Sequence, residues 1–201
     1  MKFLIAKDTQ NLELTREHMG RNFANGFYHW LKIFHPNAER LAQAFAHIFS
    51  LDAFYVAIAE NGDVLAQCAL RTPDMAGVGL QKKPLCKHLG FLRGSMAYWA
   101  LNKHLLTKYP QNSNENIAYV EFVATSVSHR GKGIASELIN FAMQDFSKRE
   151  PVEEYILEVA DTNEVAVRLY SRLGFSEYHR KPSSNPRRTG LNFFVYMKKS
   201  V

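Results

Sequence analysis

Cysteine is scarce in this chain: Cys68 and Cys86 are the only two among 201 residues. Two thiols cannot build a disulfide framework, and they favour a reducing, cytoplasmic setting. Long apolar runs are missing as well. No stretch approaches the ~18 uninterrupted apolar residues of a spanning helix, so no membrane crossing is expected. The N-terminal MKFLIAKD meets charge too early to read as a secretory signal. The eight histidines include no H-x-x-x-H pair and no Cys/His cluster, so no metal site is expected. Cys68 has no histidine at an interpretable spacing, which argues against a covalent cysteine intermediate. Internal repeats and low-complexity tracts are absent. So are acidic residues after Glu177: the last 24 positions hold Arg180, Lys181, Arg187, Arg188, Lys198 and Lys199, which account for the whole formal charge of +6.

What is present is concentrated in one place. With 46% hydrophobic residues the chain can build one substantial core. Residues 117–124, IAYVEFVA, are β-branched and aromatic and of strand length. They lead into Arg130-Gly-Lys-Gly-Ile-Ala135. Beyond it Ile134, Leu138, Ile139, Ala142 and Phe146 recur at helical spacing. A glycine turn feeding a helix N-terminus leaves several N–H groups unpaired, with the positive end of the helix dipole behind them. Gly131 and Gly133 remove the Cβ atoms that would hold a phosphate away, and Arg130 and Lys132 add charge at the rim. A dinucleotide turn would need a third glycine where Ser136 stands, and no G-x-x-x-x-G-K-[ST] run exists. The bland alternative is a tight turn with surface charges.

A second segment follows. Tyr155, Leu157 and Val159 alternate with Ile156 and Glu158 as a mostly buried strand would. Asp161 and Glu164 have capping-box spacing, Val165, Leu169 and Leu173 form a helical stripe, and Gly174 ends it.

R-x-x-G-x-A at Arg130–Ala135 followed by N-x-x-A-x-x-L-Y-x-x-x-G-F at Asn163–Phe175 resembles the GNAT superfamily of acetyl-CoA-dependent N-acetyltransferases, in a bacterial-type, single-domain form. The match covers residues 117–175 and a last strand at 192–199. The resemblance implies an α/β (α+β) fold: a mixed, mostly antiparallel twisted sheet of about six to seven strands flanked by helices, with a splay between the two central strands. It implies acetyl-CoA as co-substrate and a primary amine of a small molecule or peptide as acceptor, attacked directly in a ternary complex. Main-chain groups of Val123 and Thr125 would hold the pantetheine. The amides of Gly131, Lys132, Gly133, Ile134 and Ala135, with Arg130, would hold the pyrophosphate. Asn163 would bond the pantetheine or phosphate region, and Tyr170 would protonate the departing thiolate.

An alkyl amine near pKa ~10 is protonated at neutral pH, so a base is required. Glu121 is the candidate: it sits on a strand stripe with Tyr119 and Val123, where burial would favour its proton-binding form. Its spacing before Arg130 resembles that of a proposed base in polyamine-acetylating relatives. Other branches use other strand positions or water, and the structural alternative is an edge Glu paired with a Lys or Arg. A non-catalytic acetyl-CoA-binding or partner-binding module is the alternative for the whole chain.

The rest reads as helices at 12–19 and 38–49 and a hairpin of 54–59 and 64–70 around Asn61-Gly62. A 72–110 insertion follows, loop to 85 and helix over 86–108. It either caps the acceptor site, pairs two subunits as a homodimer, or packs on the sheet. Phe23, Phe27, Tyr28, Trp30 and Phe34 are core or acceptor-pocket aromatics. The basic 178–201 tail is a solvated loop and last strand, or it attracts acidic substrate or a coenzyme phosphate. Nucleic acid is least favoured, because no regular aromatic interleaving accompanies the charge.

Overall fold

The computed structural model describes residues 1–105, 116–183, 186 and 190–201. In chain order its elements are β1 (Lys2–Ile5), α1 (Leu12–Gly26), α2 (Tyr28–Leu31), α3 (Ala38–Phe45), β2 (Phe54–Ile58), β3 (Val64–Arg71), α4 (Lys82–Leu89) and α5 (Phe91–Leu105). Then come β4 (Ile117–Thr125), α6 (Ile134–Phe146), β5 (Glu154–Ala160), α7 (Glu164–Arg172), β6 (Ser176–Pro182) and β7 (Phe193–Ser200). Among the described residues the strands form a seven-stranded sheet ordered β1-β2-β3-β4-β5-β7-β6. Every neighbouring pair is antiparallel except β4 with β5. The mixed, mostly antiparallel sheet expected above is therefore the one observed.

Strand alternation gives the sheet two apolar faces. One is covered by α1, α3 and α4, whose Met19, Phe23, Leu41, Phe45 and Leu85 are buried with Phe54 and Val56. The other is covered by α6 and α7, where Leu138, Ile139, Ala142, Phe146 and Leu173 pack on Tyr55, Leu70, Val120 and Leu157. Asparagine side chains cap two of the first-face helices. Asn11 Oδ1 accepts the Leu14 N–H, and Asn37 Oδ1 accepts the Arg40 N–H, both at 3.0 Å.

Several boundaries differ from the sequence reading. The first helix runs on to Gly26, and the second stops at Phe45 because Phe49 leaves to bridge Val78. The helix expected over 86–108 is two helices, broken at Gly90 (φ 84°), and its last residues lie outside the described ones. Of the roles open to the insertion, packing is visible: Leu85, Leu89 and Ala97 are buried in the first core, while Phe91, Leu92 and Trp99 remain exposed. The four-residue edge strand β1 has no counterpart in the sequence reading. Arg187 and Arg188 of the basic tail lie outside the described residues. Among those described, no helix is long and apolar enough to cross a membrane.

Candidate active site

The site begins where two central strands part. β4 and β5 pair only over Ile117–Tyr119 and Glu154–Ile156. β4 then continues from Val120 to Thr125, and β5 to Ala160, with no pairing between them. The edge of β4 that looks into this gap is left without a strand partner, which is the expected splay.

A bulge sharpens it. On β3 only Cys68 separates Gln67 from Ala69, whereas on β4 both Phe122 and Val123 separate Glu121 from Ala124. Phe122 takes φ 51°, a strained value for a residue with a bulky side chain, at a cost on the order of 1–3 kcal/mol. Its ring is held by Phe23 and Phe54, each 6.1 Å away between centroids. The extra residue rephases the strand. Val123 therefore packs in the α6–α7 core with Cys68 and Tyr170, and does not share a face with Glu121 as the simple alternation predicted.

At the far end of the gap stands the glycine turn. Gly131 (φ 75°) and Gly133 (φ 81°) both occupy the left-handed region. Gly133 is the N-cap of α6 and offers no side-chain hydrogen bond. The N–H groups from Gly131 to Ser136 have no hydrogen-bond partner among the described residues. A Cβ built on Gly131 would meet nothing within 4 Å, so no protein atom crowds the turn on that side. This arrangement fits an oxyanion or phosphate. Arg130 is anchored beside it, its Nε donating to the Thr125 carbonyl at 3.3 Å.

Asn163 is the N-cap of α7, and its Oδ1 accepts the Ala166 N–H at 3.2 Å. It thus takes the capping position that the sequence reading gave to Asp161. Asp161 instead accepts the Asn192 N–H, from the strand side of the loop. Tyr170 projects from α7 into the second core, 6.0 Å from the Phe175 ring. Its hydroxyl makes no hydrogen bond among the described residues. Burial, together with the nearby Cys68 thiol, pushes the phenol well above its ordinary range, so it is a proton carrier at any physiological pH.

The opposite face of the gap carries the acids. Both Glu121 oxygens are gripped by Arg71: Nε to Oε2 at 2.8 Å and Nη2 to Oε1 at 3.0 Å, with the two side chains only 13% and 15% exposed. Arg71 also lies over the Tyr119 ring, 4.9 Å from its centroid. The alternative of a paired Glu is therefore realised, through an arginine that the sequence reading did not single out. A second acid was missed. Glu158 of β5 faces Tyr196 of β7 directly across the ladder, and the Tyr196 hydroxyl is hydrogen-bonded to it. Glu158 is solvent-accessible yet crowded, and loss of water pushes its carboxyl up. The Tyr196 hydrogen bond and Lys181 oppose that shift, while Glu121 adds to it. Its signal was present in the alternation of Tyr155, Leu157 and Val159 with Ile156 and Glu158, which puts an acid on the other face. Of the five aromatics expected as core or pocket, Phe23 and Phe34 are buried, Phe27 is partly buried against the same core, and Tyr28 and Trp30 are exposed.

A family model described as "Acetyltransferase (GNAT) family" matches residues 24–175. N-alpha-acetyltransferase 30 of Schizosaccharomyces pombe is 37% identical over 62 residues, 31% of this chain and 41% of that protein. The chain thus matches less than half the length of that relative. Among solved structures, an N-acetyltransferase from Staphylococcus aureus Mu50 superposes with a TM-score of 0.58 at 15% identity, covering 99% of this chain and 100% of the other. The NatC complex bound to Gag peptide and CoA gives 0.57 at 12% identity, covering 100% and 99%. At these identities the two structures establish the shared fold.

Proposed function

The chain belongs to the acetyltransferase (GNAT) family, and from that premise we propose that it transfers the acetyl group of acetyl-CoA to a primary amine of a small molecule or peptide, by direct attack in a ternary complex. The observation that carries this reading is the uncapped glycine turn at Gly131–Gly133, opening onto a gap whose β4 edge has no strand partner.

Each part of acetyl-CoA has matching chemistry along that gap. The N–H groups of Gly131, Lys132, Gly133, Ile134 and Ala135 take the pyrophosphate, with the Arg130 and Lys132 side chains at its rim. Main-chain groups of Val123 and Thr125 pair with the pantetheine amides, as one more strand would. The Asn163 side chain keeps its NH₂ group to donate toward the same arm, its oxygen being committed to the helix cap.

The thioester then lies between two faces with different tasks. The amine approaches from the face of Glu121 and Glu158, and its lone pair attacks the carbonyl carbon. Tyr170, on the face of α6 and α7, delivers its proton to the sulfur as the carbon–sulfur bond breaks. Glu121 sits close to the incoming amine, but its carboxylate is already committed to Arg71. We read that pair as the element that orients the acceptor side of the gap. Both cysteines are free thiols, in keeping with a cytoplasmic enzyme.

The test is a screen of a primary-amine library with acetyl-CoA as donor, following free thiol, alongside calorimetric titration with CoASH. Binding of CoASH and release of thiol by at least one amine are expected. Absence of binding removes the proposal, and binding without turnover of any amine replaces it by a non-catalytic role.

A further inference from the structure

We propose that the α4–α5 hairpin docks on the anionic face of a lipid bilayer, with Phe91, Leu92, Met96 and Trp99 entering the headgroup layer and Lys82 and Arg93 meeting lipid phosphates. This role is additional to acetyl transfer and does not depend on it.

Helix α5 has two apolar faces. The inward one carries Gly94 and Ala97, both buried, and Leu101, packed against the first core. The outward one carries Leu92, Met96 and Trp99, at the i, i+4, i+7 spacing of a stripe that a helix ordinarily buries. Here Leu92 and Trp99 keep 81% and 69% of their surface in water, and the neighbouring Phe91 keeps 72%. Scattered apolar side chains on a surface are normal, but four on consecutive turns of one helix make a patch. The helix cannot roll to hide it. A Cβ on Gly94 would stand 2.5 Å from the Cys86 Cα, so α5 is locked against α4 at that glycine, and turning it would drive a side chain into that backbone.

Charge decides what covers the patch. From residue 75 to residue 114 the chain has no Asp or Glu, while it has Lys82, Lys83, Lys87, Arg93, Lys103 and Lys108. Lys82 lies over the Phe91 ring, 5.6 Å from its centroid, and Arg93 is exposed on the first turn of α5. Among the described residues neither has an ion pair. Lys83 and Lys87 line a groove shared with Glu13, Glu17 and Glu39, and they belong to that groove and not to the patch.

A second copy of this chain would bring the same cations together across a two-fold axis, with no acid in the segment to answer them. A nucleic acid would find one indole to stack on, and Leu92 and Met96 offer a base nothing. A bilayer needs no shaped pocket. Its phosphates answer the cations, and its interface takes prominent Trp, Phe and Leu side chains edged by Lys and Arg. The hairpin lies on the surface without crossing it, since no helix among the described residues is long and apolar enough to span.

The experiment uses the full chain. It holds two tryptophans, so Trp30→Phe leaves Trp99 as the sole indole. Vesicles of phosphatidylcholine alone are compared with vesicles in which about one-third of the lipid is phosphatidylserine. On the anionic vesicles the protein should co-sediment, and Trp99 emission should shift to shorter wavelength and be quenched by lipids brominated on their acyl chains. Lys82→Gln with Arg93→Gln should weaken this binding about 30-fold, at roughly fivefold per cation. Leu92→Ser should weaken it about tenfold or more. All three positions are exposed, so thermal melts of these variants should match wild type. Salt at about 1 M, where the Debye length falls to ~3 Å, should release most of the protein. Absence of binding to the anionic vesicles, equal binding to the neutral ones, or binding that survives both the charge and the Leu92 substitutions overturns the proposal. A Trp99 shift that appears without lipid, together with a dimer mass in sedimentation, overturns it in favour of a second copy. A shift produced by single-stranded RNA and not by vesicles overturns it in favour of nucleic acid.

Discussion

The glycine turn can be tested with a single methyl group. Gly131 sits at φ 75°, and a Cβ there would enter space that no protein atom occupies within 4 Å. Gly131→Ala therefore has two separable consequences. The backbone cost of a left-handed alanine is about 1–2 kcal/mol. A stiffer unfolded chain offsets about 0.4–1 kcal/mol of that. The net loss is at most about 1.5 kcal/mol, or a Tm drop below about 6 °C for a chain of this size. The effect on binding should be much larger, because a side chain on the turn holds a phosphate away from the main-chain amides. Losing two charge-assisted hydrogen bonds at about 1.5–3 kcal/mol each weakens CoASH binding by roughly 10²–10⁴-fold.

Gly62→Ala is the matched control. Gly62 has φ 88° and an equally open Cβ direction, with only Leu14 Cδ2 at 4.0 Å, but it lies in the β2–β3 hairpin turn. Both variants should lose similar stability in thermal melts. Only Gly131→Ala should lose CoASH binding in calorimetry. If the two variants bind CoASH alike, the turn does not hold the diphosphate, and the reading of the site is wrong.

Four further outcomes follow from the same geometry. Tyr170→Phe should lower kcat by about 10² while CoASH affinity holds, and an unchanged kcat would take the thiolate proton away from Tyr170. Arg71→Met strands a largely buried Glu121, costing about 3 kcal/mol and roughly 6–12 °C in Tm; adding Glu121→Gln should restore most of it, and a loss under about 1 kcal/mol would show the pair to be incidental. Gln67 is fully buried, and neither of its side-chain amide atoms has a partner among the described residues, so Gln67→Leu should raise Tm by a few degrees, of the order of 1 kcal/mol; a fall would mean that the amide holds an internal water. Tyr170 keeps its proton in the folded chain to higher pH than in the unfolded one, so its contribution is complete below the ordinary tyrosine range and declines as pH climbs past about 10. Denaturant titrations above that pH should show the decline flattened in Tyr170→Phe.

How much of this was legible beforehand depended on how locally each feature is encoded. The turn at Gly131–Gly133 and the helix after it are written in consecutive residues, because glycine conformations and helical spacing need no distant partner. The strands β2, β3, β4, β5 and β7 were readable for the same reason, whereas the short edge strand β1 was not. The bulge at Phe122 was not: phenylalanine gives no local hint of a positive φ, which is imposed by Cys68 opposite and by rings from Phe23 and Phe54. The break at Gly90 had a local signal, and it lost to the apolar periodicity on either side. Asp161 and Asn163 are both good caps on chemical grounds. Asn163 takes the cap, while Asp161 is engaged by the N–H of Asn192, the residue just before β7.

The acids show the same limit at the level of function. An acid in an apolar strand is a fair pointer to chemistry, and it applied to Glu121 and Glu158 alike. What separates them is the company each keeps: Arg71 comes from 50 residues upstream of Glu121, and Tyr196 reaches Glu158 through a register set by the β5–β7 ladder. A strand pattern can thus nominate a base, but its competence depends on whether the fold leaves its oxygens free to accept a proton. Here the nearer acid along the motif is the one whose oxygens are occupied. Glu158 on the facing strand is solvent-exposed and has no ion pair among the described residues, so a strand pattern that nominates both acids alike says nothing of how differently the fold engages them.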